Sequence, residues 1–132
     1  MKLKLFNPFH CGDGKWSGVC VKLEEPTTPS KYKKCAKQVR ILFEVETDEG
    51  ERMAGKTFCA NFSYGSELYL FLASWLGEDL ERFLDDDGEI DLDRLVGRKA
   101  DLYITHGLHG DQYEYPVVYI SGIYPEGTFA AE

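Results

Sequence analysis

One amphipathic helix set between two groups of strand-like runs constrains this chain more than any other feature. Within residues 63–77, SYGSELYLFLASWLG, the apolar Leu68, Phe71, Leu72 and Trp75 recur at i, i+3, i+4 and i+7. That spacing is the buried stripe of a single helix. Ser63 and Ser66 are both candidate N-caps, because a short hydroxyl can accept a bond from an unpaired first-turn N–H. Gly77 stands where a helix closes in the left-handed conformation. Three strand-like runs precede this helix and two follow it.

The strands are read from alternation. Residues 18–24, GVCVKLE, set Val19, Val21 and Leu23 against Cys20, Lys22 and Glu24, a half-buried strand. Residues 36–47 place Val39, Ile41, Phe43 and Val45 on one face, with Arg40, Glu44 and Glu46 mostly on the other. A hairpin turn at Asp48-Glu49-Gly50-Glu51 returns the chain into a third strand over 52–62, with Gly55 a bulge or bend. After the helix, residues 99–106 put Ala100, Leu102 and Ile104 inward and Asp101, Tyr103 and Thr105 outward. A Gly-rich turn at 107–111 then leads to a last strand over 113–124. The prediction is a mostly β protein with one main helix. The order of three strands, helix, two strands is that of an OB-fold, a five-stranded Greek-key barrel with its helix between strands 3 and 4. Other small barrels and α+β sheets share the pattern. The organisation expected is an irregular N-terminal arm over 1–17, an OB-like domain over 18–125 and a structureless tail over 126–132.

Length suits one domain, and 43% hydrophobic residues make it globular. No apolar run is long enough for a membrane helix or a signal peptide, so a soluble cytoplasmic protein is expected. The cysteines Cys11, Cys20, Cys35 and Cys59 lack CxxC spacing. A zinc site combining them with His10 is weighed against free thiols, and free thiols are preferred. Disulfides are not expected in a reducing compartment.

The net charge of −8 is unevenly spread. Lys31, Lys33, Lys34, Lys37 and Arg40 fall within 30–40 without one acid, whereas 78–93 holds nine acids against Arg82 alone. The acidic run reads as a solvated face whose Leu80, Phe83, Leu84, Ile90, Leu92 and Leu95 tuck short turns against the core. Its LDDDGEIDLDRL fails as an EF-hand: with Gly88 at loop position six, Phe83 and Arg94 stand where carboxylates are needed. No metal or cofactor is expected. His106 and His109 straddle a Gly-rich turn without a third ligand. The serines Ser63, Ser66 and Ser74 have no nucleophile-elbow context, and no phosphate-cradling loop is present, so an enzyme is not expected.

Taken together, KQVRILFEVE, the helix ending Trp75-Leu76-Gly77, and DLDRLVGRKADLYITH followed by YPVVYISGIYP resemble a family of small phage- and prophage-borne proteins. Leu95, Val96 and Gly97 match that family's Leu-x-Gly-Lys opening of strand four, with Arg98 in place of Lys. The N-terminal arm with His10 and Cys11 and the acidic 78–93 segment depart from it. The resemblance, covering about 18–125, implies an OB-fold that binds single-stranded DNA in phage replication or recombination. Such binding needs a cationic groove and aromatic platforms. Lys31, Lys33, Lys34, Lys37 and Arg40 are the candidate phosphate contacts, and Tyr32, Tyr103, Tyr113 and Tyr115 the candidate platforms. Phe58 and Phe62 are read as core first. The competing expectation is a protein-interaction module that meets a basic partner through the acidic 78–93 segment. Cations paired with Glu24, Glu25 and Glu44 would favour that alternative.

Overall fold

The computed structural model describes residues 1–3, 14–25, 35–47, 50–106 and 118–131. The protein is mostly β, with five strands and one α-helix: β1 (Gly14–Glu24), β2 (Gln38–Thr47), β3 (Gly50–Cys59), α1 (Glu67–Leu76), β4 (Lys99–His106) and β5 (Val118–Pro125). β1 pairs antiparallel with β2 and with β4, β2 with β3, and β4 with β5. β3 meets β5 in parallel through one pair, Gly55 and Tyr119. The order is thus β1-β2-β3-β5-β4, with β4 hydrogen-bonded back onto β1.

The first strand serves two neighbours because it is bent. Gly14 to Val19 pair with β4, Gly18 to Glu24 pair with β2, and the register shifts between Cys20 and Lys22. An extra residue in one strand twists it and reverses which side chains face inward. Gly18 and Cys20 are accordingly buried ahead of the bulge, and Val21 and Leu23 half-buried at and beyond it. The strand also starts earlier than alternation predicts: Gly14 to Ser17, assigned from sequence to the arm, are part of it, and Trp16 packs against the core.

Helix α1 starts at Glu67, not in the turn of Ser63, because the Ser66 hydroxyl caps the Tyr69 N–H at 3.1 Å. Gly77 ends it at φ 57°, a conformation costly for a residue with a Cβ. The predicted stripe of Leu68, Phe71, Leu72 and Trp75 is buried. Trp75 is wholly inaccessible, lies edge-on to Phe43 at 5.1 Å, and donates from its indole Nε1 to the Lys99 carbonyl at 2.9 Å. The Ser74 hydroxyl bonds the Ile123 carbonyl, so α1 is tied to both strands that follow it. Among the described residues no helix is long and apolar enough to cross a membrane.

The acidic connection folds as short turns. A 3-10 segment, Gly77–Phe83, and another, Leu92–Leu95, bury Leu80 and Leu95. Between them Asp85 accepts from the Asp87 and Glu89 amides at 2.9 and 3.0 Å, closing a turn at Gly88. The aspartate that looks like a calcium ligand in the sequence is a turn cap. The C-terminus, expected to lack structure, instead folds back as a 3-10 turn, Phe129–Ala131. The buried Asp101 carboxylate accepts the Phe129 amide at 2.8 Å.

One further expectation needs correction. Cys35 and Cys59 form a disulfide, with Cα atoms 5.9 Å apart, where free thiols were expected. The pairing is tertiary: the β2–β3 ladder places Gln38 opposite Cys59, and Cys35 folds back beyond its end. Cys20 remains a free, buried thiol, which desolvation pushes up to about 11.

Candidate nucleic-acid interface

Tyr103 is 43% exposed on β4, on the outward side expected of it, whereas Asp101, expected outward too, is buried beneath the C-terminal turn. Opposite it on β5 is Gly122. The register shifts here too, so that Ser121 bulges out and its hydroxyl donates to the Tyr103 carbonyl at 3.1 Å. Gly122 leaves room that no other residue would. A Cβ built there would lie 3.1 Å from the Tyr124 hydroxyl, 3.3 Å from its ring and 3.4 Å from the Tyr103 Cβ. The Tyr124 ring therefore lies across Gly122 beside Tyr103, itself 39% exposed.

Phe129 extends this surface. Its ring meets Tyr124 edge-on at 5.8 Å, its backbone N–H donates a hydrogen bond to Asp101, and the Lys15 Nζ sits 5.2 Å over the ring. Tyr103, Tyr124 and Phe129 thus form one aromatic surface carrying a cation, built from β1, β4, β5 and the C-terminal turn. Of its members the sequence singled out Tyr103 alone. The signal for Tyr124 was its equal parity with Gly122, a residue too small to cover it.

Of the basic candidates, two fall within the described residues. Lys37 is exposed at the entry to β2. Arg40, read from sequence as an outward phosphate contact, is buried, its guanidinium 3.3 Å from Glu24, which also receives Lys22 at 3.1 Å. Its outward parity placed it beside β1, where the carboxylate that neutralises it lies 16 residues away in sequence. Lys31, Tyr32, Lys33, Lys34, Tyr113 and Tyr115 lie outside the described residues. Phe58 is fully buried and Phe62 half-buried, as expected of core rings.

Acid gathers on another part of the sheet. Glu44, Glu46 and Glu51, from the β2–β3 hairpin, line a concavity of about 470 Å³ with Glu126 and Lys99. The Glu51 charge beside Glu44 is the main reason that the Glu44 carboxyl is raised above its ordinary range. In the 78–93 segment Asp79 is lowered, chiefly by its 2.8 Å hydrogen bond from Arg98, with Arg82 3.4 Å away. Among the described residues no group of three His, Cys, Asp or Glu side chains has a metal-holding arrangement.

Comparison with protein-family models, curated proteins and solved structures finds no match.

Proposed function

We propose that this is an OB-fold barrel that binds single-stranded nucleic acid, with DNA as the preferred strand, in the cytoplasm. The pairing order supports the barrel: β1 is shared between β2 and β4, β3 and β5 run parallel, and the helix lies between β3 and β4. The binding reading rests on one observation: two exposed tyrosines, the Tyr124 ring and the Cβ of Tyr103, both lie against Gly122. Nucleobases stack on such rings whatever their sequence, and nearby cations track the phosphates. Lys15, 5.2 Å over the Phe129 ring, and Lys56, which lines a concavity with Gly122 and Tyr124, are cations close to these rings. Lys31, Lys33, Lys34 and Lys37 are the further phosphate contacts, with Tyr32, Tyr113 and Tyr115 as added platforms. A role in phage replication or recombination follows from the sequence resemblance alone.

Titration of a labelled oligo(dT) 30-mer at low and at physiological salt tests this. Tyr103→Ala or Tyr124→Ala should cost ~1–3 kcal/mol through lost stacking and leave the salt slope unchanged. Removing Lys33 and Lys34 together should flatten the slope by roughly one unit or more, each single-strand phosphate contributing about 0.7. If the wild-type protein binds the 30-mer at neither salt, the reading fails.

A second reading has an observation of its own. The carboxylates of Glu44, Glu46, Glu51 and Glu126 converge on one concavity, and Glu24 pairs with both Lys22 and Arg40. That arrangement suits a module that meets a basic protein partner. Together with the acidic 78–93 segment, it leads if nucleic-acid binding is absent.

A further inference from the structure

Tyr64, in the connection between β3 and α1, is 91% exposed. Scattered exposed apolar residues are ordinary, so exposure alone decides nothing. This ring, however, has an aromatic neighbour and stands on a hydrogen-bonded turn. It lies edge-on to Tyr69 with centroids 5.1 Å apart, and Tyr69 in turn leans on Phe62 at 5.8 Å. The backbone beneath is a hydrogen-bonded turn: the Ser66 amide donates to the Ser63 carbonyl at 2.9 Å, the Ser63 amide to the Ser66 hydroxyl at 3.4 Å, and the Ser63 hydroxyl to Asn61 Oδ1 at 2.9 Å. A backbone turn set before any ligand arrives loses little freedom on binding one.

The second observation is charge. The same turn is fastened to the entry of β2, where Lys37 is exposed: the Ala60 amide donates to the Lys37 carbonyl at 2.9 Å, and Cys59 is covalently joined to Cys35. One end of the sheet therefore presents an exposed aromatic ring and an accessible cation on two segments joined to each other. Those are the two ingredients of a single-strand contact.

We infer that Tyr64 is a second stacking subsite, for one base of a single strand, with Lys37 holding an adjoining phosphate. The subsite rests on the single-strand reading above and extends the strand's path from the β4–β5 face to the β3–α1 turn. Anisotropy titration of the labelled oligo(dT) 30-mer at two salt concentrations tests it. Tyr64→Ala should weaken binding by roughly fivefold or more, the equivalent of one lost stack. Its salt slope and melting temperature should match wild type, since the ring packs on the surface, and Tyr64→Phe should bind normally. Lys37→Gln should weaken binding and flatten the slope by about 0.7. If Tyr64→Ala binds like wild type while Tyr103→Ala is weakened, the subsite is wrong and the parent reading stands. A wild-type slope in Lys37→Gln would equally overturn the paired site. Wild-type protein that binds no strand removes both.

Discussion

Replacing Trp75 tests how the helix holds the strand that carries the candidate site. Its side chain is wholly buried between Phe43 and Phe71, at ring distances of 5.1 and 6.4 Å. Its Nε1 also satisfies the carbonyl of Lys99, the first residue of β4. Trp75→Ala removes the whole ring, and large aromatic deletions in cores cost ~3–5 kcal/mol. Trp75→Phe keeps most of the apolar volume and loses the hydrogen bond. The orphaned carbonyl then sets its cost, ~1–3 kcal/mol if water does not reach it. Urea unfolding followed by far-ultraviolet circular dichroism gives both numbers without depending on tryptophan emission. If Trp75→Ala costs under about 1 kcal/mol, the packing described for the core is wrong. If Trp75→Phe costs as much as the alanine, cavity formation is not the main term and the β4 anchor is. In that case oligonucleotide affinity should fall along with stability, because Tyr103 lies four residues beyond the anchor.

Other perturbations separate the remaining features. Gly122→Val should weaken oligonucleotide binding as much as Tyr124→Ala does, by pushing the ring off its strand. Equal affinity to wild type would show that the Tyr103–Tyr124 arrangement is irrelevant. Reduction, or Cys35→Ser with Cys59→Ser, should lower unfolding stability by ~2–4 kcal/mol, the usual effect of opening a closed loop of this order; the cysteines are 24 residues apart. A urea midpoint indifferent to reductant would show that the bond contributes nothing. Cys20 favours its neutral thiol in the fold, with its pKa raised from 9.0 to about 11. Its contribution is therefore complete below pH 9 and lost as pH rises towards 11, by up to ~3 kcal/mol. Cys20→Ala should lose less stability than wild type over that interval, and parallel curves would exclude a part for this thiol.

What was legible in the sequence was local. The four-residue stripe of α1 and the bounds of β4 depend on neighbours in the chain, and both emerge in the fold; the outward side expected for Asp101 does not, because the C-terminal turn covers it. What was not legible depends on partners far away. A bulge reverses the inward face of β1, so the small Gly18 and the thiol of Cys20 are buried more completely than the valines beside them. The burial of Arg40 requires Glu24, and the Cys35–Cys59 bond requires a folded hairpin. In the candidate site Tyr103 could be read from parity. Tyr124 had its parity with Gly122 as a local signal, but placing it near Tyr103 required the β4–β5 pairing, and Tyr64 required the turn that carries it.

The two functional readings make opposite demands on Glu44 and Glu51. For a strand bound at Tyr103 and Tyr124, these carboxylates are a source of repulsion acting through solvent, because they belong to the β2–β3 hairpin and the platform to β4 and β5. Val19 pairs with both Glu44 and Lys99, so Glu44 stands two strand spacings from β4, and Tyr103 lies four residues further along that strand, a separation of ~15 Å. Charges that far apart interact in ~0.01 M salt, where screening reaches about 30 Å, and hardly at all in 0.15 M, where it reaches about 8 Å. Glu44→Gln with Glu51→Gln should therefore strengthen oligo(dT) binding at the lower salt and leave it unchanged at the higher. The same pair should also raise stability at neutral pH. Glu44 has a raised pKa, so its folded form prefers the proton, and wild-type stability falls as pH rises through that titration. If the concavity instead serves a basic protein partner, the double variant loses that partner at both salt concentrations. Oligonucleotide binding that weakens in the double variant would mean that these carboxylates face the strand's own contacts, and the placement of the site on β4 and β5 would be wrong.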